Sequence, residues 1–412
     1  MSRQPFSTPS PWTVLVVTTA IQAMVSLIAL APPVFATEAA RDMGLDARLI
    51  GFYTSLVYLG AMLTSLPAGS VVQRFGALRV SQMCLVLGAV GLGLLAWGVP
   101  GLVLAAALVV GFGYGPITPA SSHVLARTTP PERRGLVFSL KQTGVPLGGF
   151  LAGAVVPVLV LGVGWQGAAL VIGLAGVVLA VAAQPLRAAL DADRKAGAPV
   201  RGAGFLGPLK VVWNSRPLRL LALASFTFAA IQLSLSSFLV AFLVQEVGLG
   251  LVTAGLILSA AQTGGIVGRV LWGVVADAWL GVRATLVGLA FVMAVCAGLM
   301  ALVAGGGWPL AAIIVLAVVF GATAIGWNGV YLAEVAHLAP EGQAGAATGG
   351  ALFITYAGVV AGPSLFGVLA GLPGGYALAF SVMGAGSALG GLLVLAARGG
   401  KGPQQPADRQ GQ

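Results

Sequence analysis

Residues 12–35 read WTVLVVTTAIQAMVSLIALAPPVF, an uncharged stretch that is long enough to cross a lipid bilayer as one helix. Similar apolar stretches follow near residues 48–73, 79–98, 101–124, 135–160, 165–184, 218–245, 251–276, 284–304, 308–333, 345–370 and 376–397. The 412-residue chain is 58% hydrophobic and 8% charged, whereas soluble proteins carry about 25% charged residues. A water-facing surface cannot be built from so few charges, so we expect an all-α membrane protein with twelve transmembrane helices.

A polar stretch divides these segments into two sets of six. We expect an N-terminal tail at 1–11, a six-helix bundle at 12–184, a linker at 185–217, a second six-helix bundle at 218–397 and a C-terminal tail at 398–412. A secretory signal is the alternative for the first segment. That segment exceeds the usual apolar core of about 7–15 residues, which favours a helix that is retained.

The net charge of +10 arises mainly from basic residues in the connections between apolar segments. If the amino terminus is cytoplasmic, only Arg41 and Arg48 of the 21 basic residues fall in outward connections. The positive-inside rule then places both termini and the linker in the cytoplasm. We therefore expect a multi-pass protein of a bacterial-type inner membrane, and we attribute the charge to topology and not to nucleic-acid binding.

The sequence holds no phosphate-binding GxxxxGK[ST] pattern and no nucleophile with a neighbouring base. Its two cysteines, Cys84 and Cys296, lie in apolar segments without the spacing of a metal site. We expect no enzymatic activity, no cofactor and no metal.

The two sets of segments resemble each other at a nearly constant offset, which indicates a duplicated architecture. The matching positions are Ala20-Ile21-Gln22 with Ala230-Ile231-Gln232, and Gly51, Gly60 and Gly69 with Gly255, Gly264 and Gly273.

Two connections in corresponding places share a pattern of glycine and charge. Residues 69–79 read GSVVQRFGALR and residues 273–283 read GVVADAWLGVR. Both resemble the GxxxDRxGRR signature of the major facilitator superfamily, although Gln73 replaces its aspartate and Ala278 its arginine. The resemblance implies the major facilitator fold, with two pseudo-symmetric six-helix bundles. It also implies a gating role at the cytoplasmic side for Gly69, Arg74, Gly76, Gly273, Asp277 and Arg283.

Two positive charges, Lys141 and Arg269, lie well inside the predicted spans, and no acidic residue occurs at a similar depth. A charge at the centre of a transmembrane helix costs about 2.5–3.5 kcal/mol, so it should face a cavity or a partner. The arginine fork matches a carboxylate and lysine supplies a point charge. We expect the pair to bind a small organic anion. The alternatives are a gate for Arg269, paired with backbone carbonyls or Asp277, and snorkelling to the headgroups for Lys141.

The residues around both cations extend the resemblance. Gly268-Arg269 followed by Gly273 is similar to the eighth helix of monocarboxylate and oxalate porters, in which such an arginine binds the anion. The tract 113–119 with residues 141–144 resembles the cyanate-permease-like branch.

Further polar and aromatic residues within the spans are candidates for the substrate site, with helix packing as the alternative. They are Gln22, Gln232, Gln262, Tyr58, Tyr114, Trp327, Asn328 and Tyr356. Candidates for proton handling are His123, Glu334 and Glu38, all of which lie toward helix ends.

These features favour a secondary active transporter that moves a small organic anion by alternating access, and the paired cations favour a carboxylate. Proton symport and anion exchange both remain open. The alternatives are a multidrug or metabolite efflux antiporter, for which a membrane-embedded acid is missing, and a membrane sensor, for which a soluble domain is missing. The expected partners are a small anionic substrate, a proton and the lipid bilayer, and we expect a functional monomer.

Overall fold

The computed structural model describes residues 10–130, 133–200, 204, 206–341 and 343–397. Residues 1–9 of the predicted N-terminal tail, the whole predicted C-terminal tail, and residues 201–203 and 205 of the predicted linker lie outside it. Within the described ranges the chain forms helices joined by short turns, and these ranges contain no β-strand.

The described residues of the first bundle and the linker form eleven α-helices. They are α1 Pro11–Val34, α2 Ala36–Met43, α3 Ile50–Ser65, α4 Ala68–Phe75, α5 Ala77–Ala96, α6 Val103–Tyr114, α7 Ile117–Thr128, α8 Arg134–Gln142, α9 Gly144–Ala182, α10 Arg187–Leu190 and α11 Leu206–Asn214. The described residues of the second bundle form seven. They are α12 Arg216–Gln245, α13 Leu251–Val275, α14 Val282–Val303, α15 Leu310–Ala324, α16 Asn328–Leu338, α17 Ala344–Ala370 and α18 Gly375–Ala396.

Eleven helical stretches of the described chain are long and apolar enough to cross a bilayer. The longest helix, α9, has 39 residues and would extend about 58 Å if straight, nearly twice the hydrocarbon thickness of about 30 Å. Gly164 interrupts it with a φ of 73°. The part before Gly164 contacts α1 and α13 through Gly148 and Gly153, and the part after it contacts α5 through Gly173. Thus α9 crosses twice, and the prediction of twelve crossings in two pseudo-symmetric bundles is confirmed.

Several predicted spans are broken into two helices near the middle of the bilayer. Span four is divided into α6 and α7 at Gly115-Pro116, because proline has no N–H to continue the helical ladder. Span ten is divided into α15 and α16 between Ala324 and Asn328. The two breaks lie about 210 residues apart, so the internal repeat extends to the irregular parts of the chain. Broken helices at membrane depth are tolerated where they are buried in protein or line a cavity.

The repeated glycines make equivalent contacts in the two bundles. A β-carbon on Gly60 would press on α6 at Leu108, and one on Gly264 would overlap the Val318 carbonyl of α15. Gly51 lies against Pro363 of α17, and Gly255 lies against α9. One repeated pair therefore allows close packing within each bundle, and the other allows the bundles to approach each other.

An even number of crossings places Pro11 and Ala396 on the same side of the bilayer, which we call the terminal side. The bundles are joined by hydrogen bonds toward the opposite side, which we call the far side. Ser364 Oγ of α17 donates to Ser55 Oγ of α3 at 2.7 Å, and Ser259 Oγ of α13 donates to the Phe150 carbonyl of α9 at 2.8 Å. Between Arg269 and the terminal side, no hydrogen bond or ion pair joins described residues of the two bundles.

Candidate functional site

Lys141 lies near the end of α8 and is 1% exposed, so it does not reach the headgroup region. Its Nζ donates to Gln22 Oε1 at 3.0 Å, to Thr118 Oγ1 at 3.4 Å and to Gln142 Oε1 at 3.4 Å. All three acceptors are neutral, and no carboxylate of the described chain pairs with this ammonium. The charge is hydrogen-bonded, but it has no counter-charge.

Gln22 connects Lys141 to the middle of α1. Its Oε1 also accepts from Thr118 Oγ1 at 3.2 Å, while its Nε2 is buried and has no hydrogen-bond partner. A β-carbon on Gly144 would lie 3.0 Å from Gln22 Cβ, so the glycine lets α9 approach this side chain closely. A buried donor without a partner is costly, and a bound ligand with an acceptor group would satisfy it.

Arg269 contacts the other bundle through a backbone carbonyl that lacks its helical N–H partner because of a proline. In a continuous helix the Gln142 carbonyl would accept from the N–H of residue 146, but Pro146 has none. Arg269 Nη1 of α13 donates to that carbonyl at 3.0 Å. Its Nε is buried and has no hydrogen-bond partner. The expected alternative, pairing with a backbone carbonyl, is thus present for one nitrogen only.

The two cations therefore occupy one region between the bundles. Arg269 bonds to the residue that follows Lys141 and lies close enough for the two charges to repel each other. Neither residue belongs to any ion pair of the described chain. Asp277, which was the alternative partner of Arg269, is exposed near the terminal side. The buried Lys141 and the half-buried Arg269 together form a site whose positive charge is unbalanced within the described chain.

The C-terminal bundle repeats the Gln22–Thr118 hydrogen bond at the same offset. Gln232 Oε1 accepts from Asn328 Nδ2 at 3.3 Å, and Gln232 and Asn328 each lie 210 positions after Gln22 and Thr118. Trp327 Nε1 adds a second donor to Gln232 Oε1 at 3.0 Å. In each bundle, the amide of the first helix bonds to the start of the helix that follows the break.

Gln262 was one of the predicted substrate-site residues. The structure places it in the contact between the bundles, where Nε2 donates to Ser236 Oγ at 3.2 Å and the side chain packs on Gly149. It is 2% exposed. Gln262 therefore lies beside the site at the far-side contact, and a direct role in substrate binding stays a prediction.

Three tyrosines extend the polar surface near Arg269. Tyr58 and Tyr114 make an edge contact with ring centroids 5.3 Å apart, and Tyr356 of the other bundle lies near Tyr114. Tyr114 is also within electrostatic range of Arg269. The structure thus brings Tyr58, Tyr114 and Tyr356 to the same region as the two cations.

The first predicted gating sequence, residues 69–79, is bound by the linker. Asp191 accepts from the backbone N–H groups of Leu78 at 2.7 Å and Arg79 at 3.1 Å, and so caps the start of α5. Gly76 has a φ of 96°, and a β-carbon there would overlap the Asp191 carboxylate. Arg74 is exposed, with its guanidinium 5.3 Å from the Phe75 ring.

The second predicted gating sequence, residues 273–283, differs from the first in the partners of its charged residues. Asp277 lies in an exposed π-turn, while Arg283 Nη2 is 3.1 Å from Glu334 Oε1. Gly69 and Gly273 have no neighbour that a β-carbon would meet. The ion pair places Glu334 beside the second predicted gating sequence, where the charge of Arg283 faces its carboxylate.

The other candidates for proton handling lie away from the two cations. His123 Nε2 is 2.6 Å from Asp193 Oδ2, and Arg127 also pairs with Asp193. Burial alone would raise the pKa of Asp193, but these two partners lower it below its ordinary value. Glu38 lies on the far side, where burial raises the pKa of its carboxyl.

Sequence reasoning missed three contributors to this region. Thr118 had a signal, because it lies 210 positions before Asn328, which was a candidate. The Gln142 carbonyl also had one, since Pro146 follows it by one helical turn. No signal in the sequence pointed to Asp191, because its contact with α5 joins positions that are far apart in the chain.

A family model described as the Major Facilitator Superfamily matches residues 14–363. The chain is 24% identical over 373 residues to the hexuronate transporter of Bacillus subtilis (strain 168), and the match covers 86% of each protein. It is 29% identical over 213 residues to "Probable anion transporter 5" of Arabidopsis thaliana, covering 47% of this chain and 48% of that protein. The solved structure of a mutant of the nucleoside transporter NupG superposes with a TM-score of 0.75 at 15% identity, covering 93% of this chain and 99% of the other.

Proposed function

The chain belongs to the major facilitator superfamily, and from this premise we propose that it is a secondary transporter that carries a small organic anion across the membrane. The observation that carries the proposal is that the buried Lys141 and the half-buried Arg269 have no carboxylate partner in the described chain. A substrate carboxylate would supply the missing charge. The names of the relatives, a hexuronate transporter and an anion transporter, agree with this chemistry.

The site favours an anion that also carries hydroxyl groups. Gln22 Nε2 and Arg269 Nε are buried donors without partners, and the amide of Gln232 and the hydroxyl of Tyr114 lie on neighbouring helices. A site built from hydrogen-bonding groups rejects ligands that leave those groups unpaired. We infer that Arg269 and Lys141 bind the carboxylate, while the amides and tyrosines bind hydroxyl groups of a sugar acid.

Alternating access would separate the contacts on one side while it forms contacts on the other. The far-side contacts of α3 with α17 and of α9 with α13 would open, as the bundles at 12–184 and 218–397 move about the cations. The charged residues of the two gating sequences would then meet across the terminal side. We assign that side to the cytoplasm from the distribution of basic residues, and we expect a monomer to be sufficient.

The test is counterflow in proteoliposomes loaded with a panel of carboxylates, using labelled D-glucuronate as the probe. Removing one partner of a buried, hydrogen-bonded charge pair typically costs about 2–5 kcal/mol, so Arg269→Gln should weaken glucuronate binding by roughly 30-fold or more. Arg216→Gln is the matched control, because Arg216 is exposed at the start of α12. It should transport like the wild type.

Other outcomes would support the other functions. Transport of lipophilic cations without any response to carboxylates would favour an efflux antiporter. Binding of an anion without counterflow would favour a sensor. Either result would contradict the proposed transport of an organic anion.

A further inference from the structure

The environment of Lys141 consists of groups that carry no negative charge. The helices packed around it present Gln22 from α1, Thr118 from α7 and Arg269 from α13, while its own helix adds Gln142. Arg269 lies within electrostatic range of Lys141, and the Tyr114 hydroxyl lies within electrostatic range of Arg269. His123, further along α7, is engaged by Asp193 at the terminal side. Among the described residues, no carboxylate pairs with Lys141 and holds a proton permanently on it.

The same neutral groups can satisfy Lys141 in two protonation states. An ammonium donates three hydrogen bonds, and three oxygen acceptors surround Nζ. A neutral amine donates two and offers a lone pair. The Thr118 hydroxyl, which now donates to Gln22, can rotate and donate to that lone pair, because a hydroxyl is both a donor and an acceptor. After Lys141 loses its proton, its two N–H groups and the Thr118 hydroxyl would therefore all still have hydrogen-bond partners.

The two cations differ in their ability to release a proton. Arginine stays protonated in proteins, whereas a buried lysine can become neutral and act in proton chemistry. Two like charges repel in the empty site, and a bound carboxylate removes that repulsion. On the basis of the proposed anion transport, we propose that Lys141 carries the coupling proton. It gains the proton when the anion binds and loses it when the anion leaves.

The proton balance of this cycle is simple. On the side of uptake, a proton from the solution forms an N–H bond at Nζ as the carboxylate binds beside Arg269. On the side of release, the anion leaves and the same proton passes to water. With a monocarboxylate, the site carries one positive charge when it is empty and one when it is loaded. The loaded site and the empty site then carry the same charge when they reorient across the membrane, so net transport is electroneutral.

The decisive variant is Lys141→Arg, which keeps a cation for the anion but cannot release its proton. Its empty site carries two positive charges and its loaded site one, and moving one charge through the membrane potential is worth about 2.3 kcal/mol per 100 mV. In proteoliposomes, the wild type should accumulate labelled D-glucuronate under an acid-outside pH gradient and ignore a potassium potential set with valinomycin. Uptake by the variant should be weaker than that of the wild type, should no longer respond to the pH gradient and should instead follow an inside-positive potential.

The control is Lys210→Arg, the same substitution at an exposed position of α11, which should behave like the wild type. Accumulation by Lys141→Arg that follows the pH gradient as in the wild type would overturn the proposal. Wild-type counterflow without any pH-driven accumulation would overturn the proton role and leave anion transport intact. Failure of the wild type to exchange any carboxylate would overturn both.

A binding measurement tests the proposal without depending on transport by the variant. Calorimetry of the purified wild type with D-glucuronate, in buffers of different ionisation enthalpy, reports protons taken up with the anion. We expect uptake that rises toward one proton per anion as the pH is raised, and none for Lys141→Arg. Binding by the wild type without proton uptake between pH 6 and pH 9 would refute the role of Lys141.

Discussion

The hydrogen bond between Arg269 and the Gln142 carbonyl exists because Pro146 has no N–H. Replacing Pro146 with alanine supplies that N–H, which lies one turn after the carbonyl and can complete a helical bond. The carbonyl would then be shared with, or lost to, the backbone. A hydrogen bond from a charged donor contributes about 1.5–3 kcal/mol. Its loss predicts a dissociation constant for glucuronate that is roughly 10-fold to 100-fold higher.

The same change should not weaken the fold, because proline in a helix is less favourable than alanine. We therefore expect Pro146→Ala to melt at the temperature of the wild type or above it, while calorimetry shows weaker binding. Gln142→Ala is the matched control, since it keeps the carbonyl and removes only the 3.4 Å contact with Lys141. Its effect on binding should be smaller. Unchanged affinity in Pro146→Ala would refute the role of the freed carbonyl. A lower melting temperature would also refute it, because the weaker binding would then follow from a less stable fold.

Three further predictions concern regions outside the membrane core. Gly76→Ala should lower thermal stability, because the new β-carbon overlaps the Asp191 carboxylate and φ is 96°; Gly69→Ala, where nothing lies nearby, should not. The pKa of Asp193 is depressed, so its contribution to stability is present above pH ~4 and is lost as the pH falls through the native pKa; Asp193→Asn should flatten that part of a melting profile. The pKa of Glu38 is raised by burial, so its ionised form opposes folding, and Glu38→Gln should raise the melting temperature at pH 7 more than at pH 4.

The linker makes several polar contacts with the first bundle. Asp191 caps α5, the Lys195 N–H donates to the Gln73 carbonyl at 2.7 Å, and Asp193 pairs with Arg127. Gln73 stands where the family signature has an aspartate. The linker thus brings carboxylates to the gating region of a bundle whose own signature lacks one.

The repeat explains why part of the site was visible in the sequence. Gln22 and Gln232 were recognised as partners because identical neighbours flank both of them. Their bonding partners, Thr118 and Asn328, occupy equivalent positions but differ in residue type, so comparison of letters did not reveal the match. Lys141 has no counterpart, since the position 210 residues later is Ala351. The hydrogen-bonded residues of the site therefore follow the internal repeat, whereas the charge of Lys141 occurs in one bundle only.

The sequence by itself determined the membrane class, the twelve crossings, the two-bundle architecture and the presence of two unbalanced cations. These follow from hydropathy, charge and a repeat, each of which is a property of the chain read in order. The three-dimensional packing was needed to show that Lys141 and Arg269 lie in one region, that Glu334 pairs with Arg283 and that Asp191 caps α5. Those contacts join helices far apart in the chain. Their formation depends on how closely glycines let the helices approach and on which backbone groups the prolines leave free, and neither is a local property of the residues concerned.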